Sequence, residues 1–91
     1  MRRSEALASL KAHMSELARR FGVRDLTLFG SVARDEATPE SDVDVLVTFD
    51  GPASFDRFMD LKFFLEEILS ARVDLVTRAG LRPRIRPAID R

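Results

Sequence analysis

The chain has 91 residues, with 15 basic and 15 acidic side chains that give a formal net charge of zero, no cysteine and a single histidine. This composition excludes disulfides, thiolate zinc sites and clusters of imidazole ligands, so any bound metal must be held by oxygen atoms. The length predicts one domain over 1–91, and the absence of a long apolar run or a signal-peptide pattern predicts a soluble cytoplasmic protein.

The first part of the chain predicts a helix, a strand and a short second helix. Ser4 is the expected N-cap of an amphipathic helix that ends at Gly22. The apolar residues that recur at helical spacing are Leu7, Leu10, Met14, Leu17 and Phe21. The alternating segment 25–29 predicts a strand that ends at Gly30. A short helix over 31–37, capped by its first serine, is expected to follow and to end before the next proline.

The second part predicts a strand, a long helix, a third strand and a tail. The strands are expected over 43–49 and 73–77, and the helix between them starts at Ser54 and ends near Ala71. This order predicts an α/β (α+β) fold, a small mixed sheet with helices mainly on one face. We expect a core over 21–77, followed by an arginine-rich C-terminal tail over 78–91.

Charge is segregated along the chain although it sums to zero. The segment 35–67 carries ten acids and two basic residues, whereas 78–91 carries five arginines and one acid. A nucleic-acid-binding domain needs a continuous basic face and aromatic side chains for stacking, and this chain has no Tyr and no Trp. Direct nucleic-acid binding by the domain alone is therefore not expected. The tail is interpreted either as a surface for an acidic neighbour or as a solvated end.

Two acids stand at the start of the valine-rich strand, in the stretch Ser41-Asp42-Val43-Asp44. Asp42 and Asp44 are two residues apart in a strand and therefore point to the same face. Such a pair of like charges favours a bound cation, and oxygen ligands favour a hard divalent ion. Asp74, in the last strand, is able to join the pair if the two strands are neighbours. The alternatives are a solvated turn for the pair and a strand-edge charge for Asp74.

Gly30-Ser31 comes where the first strand turns into a helix. Such a turn exposes backbone N–H groups, and a glycine lets a ligand approach the backbone closely, so the pair is a candidate phosphate seat. An ordinary turn capped by Ser31 is the alternative. Here the groups that would bind phosphate precede the acid pair by only a short loop. This arrangement suits a nucleoside triphosphate that shares its phosphates with Mg²⁺.

The combined pattern of Gly30-Ser31, Ala33-Arg34, Ser41-Asp42 and Asp44 resembles the signature of the DNA polymerase β-like nucleotidyltransferase superfamily. The short chain is similar to the minimal nucleotidyltransferase (MNT) domain proteins of bacteria and archaea. The resemblance covers 21–77. One departure is Asp35, which stands where the family often has glycine. Its negative charge is expected either to weaken nucleotide binding modestly or to face solvent.

The resemblance implies roles for the motif residues. Gly30, Ser31, Arg34 and Ser41 are expected to bind the nucleotide, with Arg34 left open between a phosphate and a carboxylate of Asp42 or Glu36. The resemblance also implies ATP as the donor and two Mg²⁺ ions. The expected catalytic residues and metal ligands are Asp42, Asp44 and Asp74.

The resemblance also implies a partner, because the chain has no room for an acceptor-binding domain. Relatives of this size pair with a small helical HEPN protein, and the MNT member acts as an antitoxin that transfers AMP to a tyrosine of that toxin. Phe63 and Phe64 widen the apolar arc of the long helix and agree with a partner surface. The alternatives are a non-catalytic module that neutralises its partner by contact, and a free-standing transferase for a small molecule or RNA.

Overall fold

The computed structural model describes residues 2–36, 38 and 41–77. Within these residues the chain forms four helices and three strands. In chain order they are α1 (Arg3–Ala12), α2 (Met14–Phe21), β1 (Val23–Phe29), α3 (Gly30–Ala33), β2 (Val43–Phe49), α4 (Phe55–Leu69) and β3 (Val73–Thr77).

The three strands form one mixed sheet with β2 in the centre. β1 pairs with β2 in antiparallel fashion, and β3 pairs with β2 in parallel. The helix α4 makes the crossover between the parallel strands, as a parallel connection requires. The α+β fold with a small mixed sheet is therefore confirmed.

The hydrophobic core lies between one face of the sheet and the helices. Val43, Val45 and Val47 of β2 are almost completely buried, and they belong to one cluster with Leu17 of α2 and Leu61 of α4. Because side chains alternate along a strand, Asp44 and Leu46 must point to the opposite face. The helices thus cover one face, as expected, and the acids of β2 lie on the other.

The N-terminal helix differs from the prediction in two respects. It is two helices, because the backbone leaves helical geometry at His13, where φ is −110° and ψ is 7°. The N-cap is Arg2 rather than Ser4, and the Arg2 N–H donates to the Glu5 carboxylate at 2.9 Å. Gly22 ends α2 in the left-handed region with φ of +69°, as expected.

Several other boundaries shift by a few residues. β1 begins at Val23, and the short helix covers Gly30–Ala33 with Phe29 as its N-cap, so Ser31 lies inside it. Ser54 caps α4, as predicted, by accepting from the Arg57 N–H at 3.1 Å. The tail over 78–91 lies outside the described residues, so the single domain with its core and tail stays a prediction. No helix in the described part combines the length and the apolar character needed to cross a bilayer.

Candidate active site

Gly30 lies where β1 turns into α3, and its backbone requires a glycine for two reasons. Its φ is +72°, a conformation that side chains of L-residues rarely adopt. A Cβ built there overlaps the carboxylate of Asp44, at 2.9 Å from its Cγ and closer still to Oδ2. The Asp44 carboxylate therefore occupies the space that the missing side chain leaves.

The sheet register brings Asp44 and Asp74 side by side. Phe29 of β1 is opposite Asp44, and Asp74 of β3 is the parallel partner of Asp44 on the other side. Neighbouring strands are roughly 4.8 Å apart, and partners in register point to the same face. Both side chains are half-buried. The second and third strands are neighbours, so the condition under which Asp74 joins the pair is met, and the two acids share the face opposite the helices.

Asp42 extends the same side of β2 by two residues but makes a different contact. One oxygen of its carboxylate, Oδ1, lies 3.2 Å from Nε of Arg72, and both side chains are well exposed, at 49% and 76%. The backbone fixes this contact, because the Val43 N–H donates to the Arg72 carbonyl at 2.8 Å. Arg72 was not predicted as a site residue, because its contact with Asp42 depends on the pairing of β2 with β3.

The donor set suits a hard divalent cation, because every candidate ligand is a carboxylate. The Asp44 carboxylate also fills the space where a side chain on Gly30 would lie, next to the turn that is the candidate phosphate seat. As the side chains stand, however, the described residues contain no group of three acids or histidines close enough to hold one ion. The residues fit Mg²⁺ by chemistry and by strand register, with Asp42 drawn towards Arg72.

The predicted nucleotide-binding residues surround the turn after β1. Ser31 is in the first turn of α3, where backbone N–H groups lack partners within the helix. Arg34 forms an exposed ion pair with Glu36, with Nε 2.9 Å from Oε1. Ser41 accepts the Thr38 N–H on its hydroxyl at 3.0 Å. Of the alternatives left open for Arg34, this conformation has the pairing with Glu36.

A comparison with protein families identifies the family to which this fold belongs. Residues 10–90 match the model of the nucleotidyltransferase domain family, which covers nearly the whole chain and both strands that carry the acids. The chain belongs to this family of nucleotidyltransferases.

Individual relatives of this nucleotidyltransferase support the assignment. It is 47% identical over 76 residues to the protein adenylyltransferase MntA of Thermococcus cleftensis, covering 84% of this chain and 77% of that protein. It is 38% identical over 90 residues to a Methanocaldococcus jannaschii protein that is also named for protein adenylyltransferase activity, covering 96% and 90%. A solved structure described as a minimal nucleotidyltransferase superposes with a TM-score of 0.75 at 40% identity, covering 92% of this chain and 85% of that one. The resemblance to minimal nucleotidyltransferases is confirmed.

Asp35, the departure from the family pattern, has a structural role in this nucleotidyltransferase. Its φ is +57°, in a region that glycine adopts freely and that aspartate tolerates better than most residues. Its Oδ1 accepts the Arg3 N–H at 2.7 Å, at the start of α1. The negative charge of Asp35 thus stabilises a helix N-terminus.

Glu66 of α4 anchors the start of β3. Its carboxylate accepts from Lys62 Nζ at 2.8 Å and from the Val73 N–H at 3.0 Å. Burial acts to raise the pKa of Glu66, but these hydrogen bonds and the charges of Lys62 and Arg72 together outweigh burial and lower the pKa below its ordinary value of 4.5. Glu66 therefore stays ionised at neutral pH and helps to place the backbone that carries Arg72 and Asp74.

Proposed function

We propose that this nucleotidyltransferase transfers AMP from ATP, with the help of Mg²⁺, to a hydroxyl group of a partner protein. The observation that carries the proposal is the row of Gly30, Asp44 and Asp74, in which a phosphate-seat turn adjoins two carboxylates on neighbouring strands. The relatives named as protein adenylyltransferases supply the substrate class. The proposal places the protein in the cytoplasm, where ATP is available and a chain without cysteine needs no oxidising compartment.

The proposed reaction is a displacement at the α-phosphate of ATP. The oxygen of the acceptor hydroxyl attacks the α-phosphorus, the bond from that phosphorus to the bridging oxygen of the β-phosphate breaks, and pyrophosphate leaves with the bonding electrons. The hydroxyl proton passes to Asp74, which acts as the general base. Mg²⁺ ions held by the carboxylates of Asp42, Asp44 and Asp74 would stabilise charge on the attacking and leaving oxygens.

In this proposal the turn after β1 binds the triphosphate. Backbone N–H groups of Gly30 and Ser31 would donate to phosphate oxygens, since these groups have no partner within a helix as short as α3. Ser41 and Arg34 lie on the loop that leads to β2, and Arg34 would exchange Glu36 for a phosphate. An exposed ion pair of this kind contributes about 1 kcal/mol or less, so the exchange is easy.

The proposed partner is a small helical HEPN-type toxin that presents a tyrosine hydroxyl, which makes this chain an antitoxin. A groove between α2 and α4 supports a docking surface; it is lined by Arg20, Phe21, Asp60, Phe63, Phe64 and Glu67. The Phe63 side chain is 56% exposed, and Asp60 and Glu67 lie about one turn before and after it on the same helix face. We define Asp60, Phe63 and Glu67 as the α4 surface. It suits a partner with an apolar centre and a rim of mixed charge, because Arg20 and Lys62 lie beside these residues.

Neutralisation by contact alone is the second candidate function. The α4 surface is on the helix layer, whereas Asp44 and Asp74 point to the opposite face of the sheet. Binding of a partner to the α4 surface therefore does not require the carboxylates of Asp44 and Asp74. The two candidates differ in one respect, which is whether the partner is chemically altered.

Release of pyrophosphate tests the proposed activity. The chain is incubated with ATP and Mg²⁺, alone and with the protein that co-purifies with it, and with EDTA in place of Mg²⁺. We expect release only with Mg²⁺ and the partner together, and none with Asp44→Asn. Asp25→Asn is the matched control, because Asp25 is an exposed acid at the far end of β1. Release without a partner would mean that water or the chain itself accepts the AMP and would contradict a partner acceptor, and no release at all would favour contact inhibition.

A further inference from the structure

Arg72 lies directly before β3 with a carboxylate on each side of it. Its Nε is 3.2 Å from Oδ1 of Asp42, and its positive charge is one of the influences on the Glu66 carboxyl. It is not part of the motif that identifies the phosphate seat and the acids. Arg72 nevertheless directly precedes the strand that carries Asp74, and its guanidinium contacts Asp42, which is a predicted metal ligand.

The backbone fixes the contact between Arg72 and Asp42. The Val43 N–H donates to the Arg72 carbonyl at 2.8 Å, and the register continues with Val43 opposite Val73. The residue before each strand is therefore held beside the other, within reach of the contact between the carboxylate and the guanidinium. The sheet, rather than a chance meeting of two surface side chains, defines the pair.

Arg72 gives the Asp42 carboxylate a positive neighbour in this conformation. Asp42 and Asp44 are like charges on one face of a strand and need a nearby positive charge when no metal is bound. Arg72 supplies that charge to Asp42, and the described residues contain no group of three metal-binding side chains in this conformation.

The pair is weak enough to be replaced. The Asp42 side chain is 49% exposed and the Arg72 side chain is 76% exposed. An ion pair this open to water changes an equilibrium constant by about fivefold at most. A divalent cation bound by two or three carboxylates at the same oxygens is able to outcompete it.

We propose that Arg72 is a positioning residue that serves as an exchangeable counter-cation of Asp42 and is replaced at that carboxylate by the divalent metal ion. The inference rests on the proposed function, because it takes Asp42 as a metal ligand. It deepens that function by giving the metal-free site a defined arrangement. Metal binding then releases a guanidinium at the edge of the nucleotide site.

Nuclear magnetic resonance of the arginine Nε–Hε groups in the full chain tests the exchange. Mg²⁺ alone is titrated, without nucleotide, and backbone amides of residues 42 to 44 report whether the ion binds. We expect the Arg72 Nε–Hε signal to shift in step with those amides towards its position in metal-free Asp42→Asn. Arg34 is the internal reference, because its Nε makes the same kind of exposed contact with Glu36 at 2.9 Å.

Each outcome decides one question. If the amides respond and the Arg72 signal stays in place, the exchange is wrong while the metal site stands. If the Arg34 and Arg72 signals shift alike, Mg²⁺ merely screens ion pairs and the exchange is again wrong. If no amide responds at the highest Mg²⁺ concentration of the titration, both the exchange and the metal site of the proposed function fail.

Metal affinity gives an independent readout. We expect Arg72→Gln to bind Mn²⁺ about two- to fivefold more tightly than the unchanged chain, because the competing cation is gone. In the Asp42→Asn background the same substitution should leave the residual Mn²⁺ affinity unchanged, because Arg72 acts through Asp42. Arg20→Gln, which removes a surface ion pair with Glu16 on α2, should have no effect. An equal gain from Arg72→Gln in both backgrounds would show a general effect of charge and overturn the proposal.

Discussion

The carboxylate of Asp44 lies against the α-carbon of Gly30, across the antiparallel pair of β1 and β2. This contact joins the turn that is expected to hold phosphates to the strand that is expected to hold metal. A side chain at position 30 does not fit here, because its Cβ would overlap the carboxylate. The contact therefore ties backbone geometry to the chemistry of the site.

Gly30→Ala is expected to abolish nucleotide transfer and to destabilise the fold. The positive φ alone costs about 1 to 2 kcal/mol, and the overlap forces Asp44 to move. Urea unfolding and a transfer assay measure the two effects. The matched control is Gly51→Ala, since Gly51 also has a positive φ, of +100°, but has nothing within 4 Å of a new Cβ. Gly51→Ala should lose stability and keep activity, and equal losses of activity in both variants would contradict the account.

Asp35 is expected to act on stability and not on nucleotide binding. Asp35→Ala loses the acceptor for the Arg3 N–H and places alanine at φ of +57°, so we expect a loss of about 1 to 2 kcal/mol in unfolding free energy. Asp35→Asn keeps the acceptor and the tolerance for this backbone region, so it should lose only what the charge contributes at the helix N-terminus, about 0.3 to 1 kcal/mol. The affinity for ATP, measured by calorimetry, should stay the same in Asp35→Asn. A clear rise in affinity would show that the charge of Asp35 opposes the phosphates.

Phe63→Ala is expected to weaken partner binding strongly with little effect on folding. Because Phe63 is 56% exposed and central to the α4 surface, its truncation should cost about 2 kcal/mol of binding free energy, or roughly thirtyfold in affinity. Phe55→Ala is the control, since Phe55 is 55% exposed on the same helix but does not line the groove. Binding of purified partner by calorimetry measures both. Equal losses, or none for Phe63→Ala, would place the interface elsewhere.

The Glu66 carboxylate is expected to stabilise the fold in a pH-dependent way. Its pKa is lower in the folded chain than its ordinary value of 4.5, so its contribution is present above that value and is lost as pH falls through the folded pKa. Glu66→Gln should therefore be less stable than the unchanged chain by roughly 0.5 to 1 kcal/mol at pH 7. Urea unfolding at pH 7 and at strongly acidic pH measures the difference. A difference that persists unchanged in acid would assign the effect to packing.

The central parts of the fold and site were predictable because their signals are local. Alternation of valine and aspartate in β2 fixed which face carries the acids, and Ser54 and Gly22 marked helix ends by their capping chemistry. These features depend on the spacing of a few residues along the chain.

The remaining features depend on contacts between distant residues. The interruption at His13 occurs in a segment whose apolar spacing continues without a break, so periodicity gave no sign of it. Asp35 accepts a hydrogen bond from a helix 32 residues away in sequence, and Arg72 meets Asp42 only because the sheet pairs their strands. Side chains that bond across the sheet or between helices have no signature in the local sequence.

The most direct test of the central claim is the intact mass of the partner protein that co-purifies with this chain, after incubation with ATP and Mg²⁺. The unchanged chain, Asp44→Asn and the control Asp25→Asn are compared side by side. The account predicts that the partner gains one or more AMP units with the unchanged chain and with Asp25→Asn, and none with Asp44→Asn. A partner that binds all three chains stably and never changes mass would contradict nucleotide transfer and leave contact inhibition as the function.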